Sequence, residues 1–113
     1  MQDNQQLDGQ TIIVTGASQG IGRAIAEMFA DAGAAVVVSD LHVDAAETVA
    51  QAISDAGGKA VGVGCNVTRE QDLQSAVQTA VERFGGLTIL VNNAGGGGPK
   101  PFDMPMEDFR WAY

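Results

Sequence analysis

Eight residues constrain this chain more than any others: Thr15-Gly16-Ala17-Ser18-Gln19-Gly20-Ile21-Gly22. An apolar run, Thr11-Ile12-Ile13-Val14, precedes them, and a helical pattern of apolar residues follows. The order is strand, glycine turn, helix N-terminus. Gly16 lets the chain leave the strand sharply, since it has no Cβ to clash. Gly20 lets backbone come close to a phosphate, and Gly22 lets the new helix pack tightly on the sheet. The first amides of that helix lack intrahelical partners and carry the positive end of its dipole, so the turn suits a pyrophosphate.

The rest of the chain alternates strand and helix. Ile21, Ile25, Met28, Phe29 and Ala32 predict the inward face of the first helix, with Gly33 as its stop. Ala35-Val36-Val37-Val38-Ser39 reads as a strand covered on both faces. Ala46, Val49, Ala50 and Ile53 mark a second helix closed by Gly57, and Lys59 to Cys65 a third strand. Gly62 and Gly64 inside that strand predict close approach by a helix or by the adenine end of a ligand. Thr68 and Gln71 have capping-box spacing. They precede a helix with Leu73, Val77, Ala80, Val81 and Phe84 inward and Gly85-Gly86 at its end. Thr88 to Val91 is a fourth strand, 92–99 a loop, and Pro105 opens a last helix with Met106, Phe109 and Ala112 on its apolar face. Residues 1–10 read as a frayed arm, with Leu7 against the first strand. This is an α/β chain with a parallel sheet and right-handed crossovers. The expected strand order is 3-2-1-4, the N-terminal part of a doubly wound Rossmann fold.

Length and charge narrow the partners. At 113 residues the chain is a single domain at most. Its net charge of −8, with no basic run, disfavours nucleic acid and anionic membranes. Residues 1–10 have no signal-peptide core, and no run of 18 apolar residues exists to cross a membrane. Cys65 stands alone, which excludes an internal disulfide and fits a reducing cytoplasm. In its apolar setting it reads as a small core residue rather than a nucleophile. No metal site is predicted.

Asp40 ends the second strand, eighteen residues after Gly22. A carboxylate there accepts from both ribose hydroxyls of an adenosine and repels a 2′-phosphate. No Arg or Lys lies in the glycine turn to offset it, and Gln19 holds the place where one would sit. NAD is therefore expected over NADP. The plainer role for Asp40 is a helix N-cap.

Taken together, the glycine turn, Asp40, Asn66-Val67 and Asn92-Asn93-Ala94-Gly95 resemble the short-chain dehydrogenase/reductase family. The resemblance implies that Gly16, Ser18, Gln19, Gly20, Ile21 and Gly22 form the phosphate turn, and that Asp40 and Leu41 hold the adenosine. By the same resemblance Asn66 and Val67 hold the adenine, while Asn93, Ala94 and Gly95 line the ribose and the approach to the nicotinamide. Asn92 is then a structural residue of the sheet. Asn66 departs from the family's acidic residue: its amide oxygen accepts from the adenine amino group without the charge-assisted share. An Asx turn capping the next helix is its structural alternative.

The stretch from Asn92 to Tyr113 is similar to the bacterial 7α-hydroxysteroid dehydrogenases. That implies NAD-dependent hydride transfer at a secondary alcohol or ketone, with a bile-acid steroid as substrate and a homo-oligomeric complete protein. The family's Ser, Tyr-x-x-x-Lys and helix Asn have no counterparts here: the one Tyr is Tyr113, the last residue. No catalytic residue is assigned. Residues 1–113 are expected to be an incomplete, NAD-binding Rossmann segment that is inactive alone and that either self-associates, through the edge of its fourth strand and an apolar patch of Met104, Met106, Phe109 and Trp111, or folds incompletely. The rival reading is a stand-alone nucleotide-binding module without a reaction of its own. A flavodoxin-like or receiver domain needs neither this glycine spacing nor the Asn-Asn-Ala-Gly turn.

Overall fold

The computed structural model describes residues 6–93. Within them the chain runs β1 (Thr11–Thr15), α1 (Gly20–Asp31), β2 (Ala35–Asp40), α2 (Val43–Asp55), β3 (Lys59–Gly64), α3 (Glu70–Phe84) and β4 (Ile89–Val91). The four strands form one parallel sheet in the order β3-β2-β1-β4. This is the predicted doubly wound arrangement. The last predicted helix, with Pro105, Met106, Phe109 and Ala112, and the predicted apolar patch, with Met104 and Trp111, lie outside the described residues.

Period-two alternation sorts the strand residues between two cores. Ile12, Val14, Val36 and Val38 pack with Ala26, Ala46, Val49 and Ile53, so α1 and α2 cover one face. Ile13 and Val37 pack with Ala76 and Ala80, so α3 covers the other. Ile12, Val14, Val36, Val37 and Val38 are wholly buried, which is why both β1 and β2 read as unbroken apolar runs. Each such side chain contributes about 1.5–3 kcal/mol on burial.

Local differences from the sequence reading have physical causes. α1 does not bury Ile21 or Met28, which are 74% and 64% exposed. Its buried positions are Gly22 and Ala26, with Ile25 and Phe29 partly covered, because small residues let the helix sit close to the sheet. Val81 on α3 is likewise 46% exposed. β3 ends at Gly64 rather than Cys65, although the Cys65 N–H still donates to the Asp40 carbonyl at 2.8 Å. β4 starts at Ile89, one residue late, with the Thr88 N–H donating to Thr11 O at 2.9 Å. The arm is tied down at residue 7: the Leu7 N–H donates to Ala32 O at 2.8 Å, and its side chain packs against the α1/α2 core.

The glycines of β3 answer their own question. A Cβ on Gly62 would lie 2.6 Å from the Glu47 nitrogen and 2.7 Å from Ala46 O. Helix α2 is the neighbour, not a ligand. Gly64 faces Val43, also on α2, at 3.1 Å.

Candidate cofactor site

Those of the predicted residues that the structure describes gather along one edge of the sheet, where β1, β2, β3 and β4 end. Gly16 and Gly20 both adopt left-handed backbone, with φ of 63° and 64°, so the turn needs glycine at each on conformational grounds. Gly22 serves a second purpose. A Cβ there would run into the Gly16 carbonyl oxygen and come within 2.5 Å of Asn93 Nδ2. The turn and the helix start therefore close on each other with no room to spare.

Helix α1 begins without a side-chain cap: Gln19 is extended and makes no capping bond. Its first turn holds no acidic residue, whereas α2 carries Asp44 there and α3 carries Glu70 and Asp72. The positive end of the α1 dipole and its first amides are left for an anion.

Asp40 ties this turn to the end of β2. Its Oδ2 accepts from the Ser18 N–H and its Oδ1 from the His42 N–H, both at 3.1 Å. Burial pushes its pKa up, but the bonds from His42 and Ser18, with a smaller charge effect from His42, outweigh this and hold it below the ordinary carboxylate value. It stays ionised at neutral pH. It is not the helix N-cap, since that position belongs to His42. Leu41 beside it is 63% exposed, as is Ile21 to a greater degree, giving the edge two open apolar side chains.

Asn66 takes its structural alternative. Its Oδ1 accepts from the Thr68 N–H at 3.0 Å and from the Thr68 hydroxyl at 2.6 Å. The Asn66 N–H donates in turn to Asp72 Oδ2 at 2.9 Å. The helix entry therefore runs between Asn66 and Asp72, not between Thr68 and Gln71, and α3 starts after Arg69 without a side-chain cap from it. The amide oxygen expected to meet an adenine amino group is already engaged twice. Val67 lies next to it, half-buried.

Thr15 was not among the predicted site residues, yet it joins the two halves of the site. Its hydroxyl donates to Asn92 Oδ1 at 3.0 Å and accepts from the Asn93 N–H at 2.9 Å. Asn93 Nδ2 then donates to Gly16 O at 3.2 Å. The only hint in the sequence is a hydroxyl residue where the apolar run meets Gly16. Asn92 acts as the structural residue expected, and Asn93 braces the glycine turn. Ala94 and Gly95 lie outside the described residues.

Two other features are not part of this site. Cys65 is buried; burial raises its thiol pKa, the nearby Ser39 hydroxyl opposes this, and Asp72 adds to it. The Ser39–Cys65 approach is too loose for a hydrogen bond, since Ser39 Oγ has no partner at bonding geometry. A neutral core thiol results. A cavity of about 390 Å³, lined in part by Ala30, Asp31, Gly33, Ile53 and Lys59, lies at the opposite edge of the sheet between the C-terminal ends of α1 and α2. Those helix ends carry partial negative charge, which suits no phosphate. Among the described residues no cluster of metal-ligating side chains occurs and no helix is long and apolar enough to cross a membrane.

A parallel sheet in this order, with a glycine turn after β1 and a carboxylate ending β2, defines an α/β protein of the Rossmann class. The chain belongs to the short-chain dehydrogenase family, whose pattern matches residues 10–112. It is 56% identical over 111 residues to the 7alpha-hydroxysteroid dehydrogenase of Escherichia coli, covering 98% of this chain and 44% of that protein. It is 43% identical to glucose 1-dehydrogenase 2 of Bacillus subtilis, covering 94% of this chain and 42% of that one. The fold superimposes with a TM-score of 0.80 on a 7α-hydroxysteroid dehydrogenase complexed with NADH and 7-oxo glycochenodeoxycholic acid, at 55% identity, over 97% of this chain and 43% of that one. The chain thus spans under half the length of these relatives.

Proposed function

We propose that residues 1–113 are the NAD-binding segment of a short-chain dehydrogenase that moves hydride between NAD and a secondary alcohol or ketone, with a 7α-hydroxylated bile acid as substrate. The observation that carries the cofactor reading is the Ser18–Asp40 bond, which sets an anion-binding turn and a ribose-binding carboxylate on one rigid edge. The likeness to a dehydrogenase complexed with NADH and a 7-oxo bile acid supports the substrate. The proposed roles of its residues are these. The amides at Gly20 to Gly22 face the pyrophosphate, Asp40 accepts from the adenosine ribose, and Leu41 offers a flat base an apolar surface. Thr15 and Asn93 keep the turn in shape. When bound, NAD supplies the hydride acceptor; these residues hold and orient it.

The 113-residue chain contains no Tyr-x-x-x-Lys pair to take the alcohol proton. It is expected to bind NAD, read by calorimetric titration, and to form no NADH from a 7α-hydroxy bile acid. Absence of NAD binding by folded chain overturns the cofactor reading; NADH production overturns the expected inactivity.

A further inference from the structure

Several aspartates of this chain are held by their surroundings. Both Asp40 oxygens accept backbone N–H groups. Asp72 accepts from the Asn66 N–H, and the amide that follows it, that of Leu73, donates to Arg69 O at 3.2 Å. The amides after Asp31 and Asp55 are committed too: Ala32 N–H to Met28 O and Ala56 N–H to Ala52 O, each at 3.1 Å. Asp8 is different. Among the described residues its carboxylate has neither a hydrogen bond nor an ion pair.

Asp8 and Gly9 are the middle pair of a four-residue turn, closed by the Gln10 N–H donating to Leu7 O at 2.9 Å. Among the described residues neither the Asp8 carbonyl nor the Gly9 N–H has a partner, so the peptide plane between them is unfastened. Turn types I and II differ by a flip of that plane, and glycine in the third position takes either sign of φ. Gly9 stands at a φ of 86°, both residues are exposed, and a Cβ on Gly9 would meet nothing within 4 Å. No other aspartate or asparagine in the sequence is followed by glycine.

An amide nitrogen free to swing against the preceding side chain can close a five-membered ring on it. The Gly9 nitrogen bonds to Asp8 Cγ, the C–OH bond of the protonated carboxyl breaks, and the hydroxyl leaves with the amide proton as water. The imide then takes water back at either carbonyl. Addition at Cγ restores aspartate. Addition at the main-chain carbonyl frees the α-carboxylate and leaves the chain running through Cβ and Cγ, one carbon longer.

We propose that Asp8 is a site of spontaneous isoaspartate formation in the folded chain, and that the longer link unfastens the arm at Leu7. Both ends of the turn are anchored: the Leu7 N–H donates to Ala32 O at 2.8 Å, and Gln10 O accepts from the Ala35 N–H at 2.9 Å. An extra main-chain carbon between those anchors breaks the Gln10–Leu7 bond and draws Leu7 off the α1/α2 core. No cofactor takes part.

The test ages the full 113-residue chain at neutral pH, folded and in urea. Isoaspartyl carboxylates are then labelled by a methyltransferase specific for them and located by peptide mapping. Label is expected on the peptide carrying Asp8, at about tenfold or more over those carrying Asp31 and Asp55. The folded chain should gain it at a rate within about tenfold of that in urea, because the fold does not hold the reacting plane. Greater slowing in the folded chain overturns the proposal, as does label at Asp8 no higher than at Asp31. Asp8→Asn closes the same ring by losing ammonia and should react about tenfold faster, whereas Asp8→Glu should take no label at that position. Hydrogen exchange on the aged chain reads the consequence: the Leu7 amide is expected to lose protection in the modified fraction while that of Val14 in β1 keeps it. Protection retained at Leu7 overturns the release of the arm.

Discussion

Replacing Gly22 with alanine is expected to lower the stability of this chain by about 3 kcal/mol or more and to abolish dinucleotide binding. The added Cβ collides with the Gly16 carbonyl oxygen and sits 2.5 Å from Asn93 Nδ2. A flexible side chain would move aside; a backbone carbonyl will not. Either α1 lifts off the sheet, uncovering Ala26, or Gly16 rotates and the Asn93–Gly16 bond breaks. Both ways the anion-binding amides lose their aim. Two companion variants separate this clash from other effects. Gly20→Ala meets open space but must hold a φ of 64°, at a cost of about 1–2 kcal/mol. Gly86→Ala meets open space without a left-handed backbone and should be near neutral. Urea unfolding of the three gives the ranking. If Gly22→Ala unfolds where Gly86→Ala does, Gly22 does not pack against the Gly16 carbonyl.

The parts of this molecule that were legible in the sequence are those in which one residue's own chemistry sets the outcome. Gly16 and Gly20 sit at left-handed φ because nothing else sits there cheaply. Unbroken valine in β2 requires cover on both faces, and with alternating helices that leaves a parallel sheet. What escaped depends on where a neighbour lies. Helical spacing says that Ile21 and Met28 share a face of α1, not that the sheet takes the adjacent arc centred on Gly22 and Ala26. Thr68 and Gln71 fit a capping box by spacing, but Asn66 begins the turn two residues earlier and Asp72 reaches back to it. Thr15 opens the glycine stretch in the sequence, with no sign there of a partner. Its role exists only because β4 lies beside β1 and delivers Asn92 and Asn93 to its hydroxyl. Asp40 sits between these cases: its place was readable, while its bonds to Ser18 and His42 were not.

Those bonds set the second large effect. A 2′-phosphate about 4 Å from Asp40 meets a repulsion of up to about 4 kcal/mol per unit charge at intermediate dielectric, which solvent at this half-buried group reduces. A preference for NAD over NADP of about tenfold to hundredfold is expected from what remains, measured as a ratio of Kd values. Asp40→Ala should collapse that ratio toward unity. It also leaves the Ser18 and His42 N–H groups without their acceptor, at a cost of about 1–2 kcal/mol in stability. Asp40→Asn removes the charge and keeps only one oxygen for two donors, so it should lose the selectivity with a smaller loss of stability. The pH dependence has a definite sign. Because the folded pKa of Asp40 lies below the ordinary 3.8, its stabilisation is full above that value and disappears as pH falls through the lower, folded value. Between pH 5 and 8 the carboxylate itself should therefore add no pH dependence to stability. Equal Kd values for the two cofactors in the unaltered chain, or tighter NADP, would overturn the role of Asp40, and a ratio that Asp40→Ala leaves in place would show that another group reads the 2′-position.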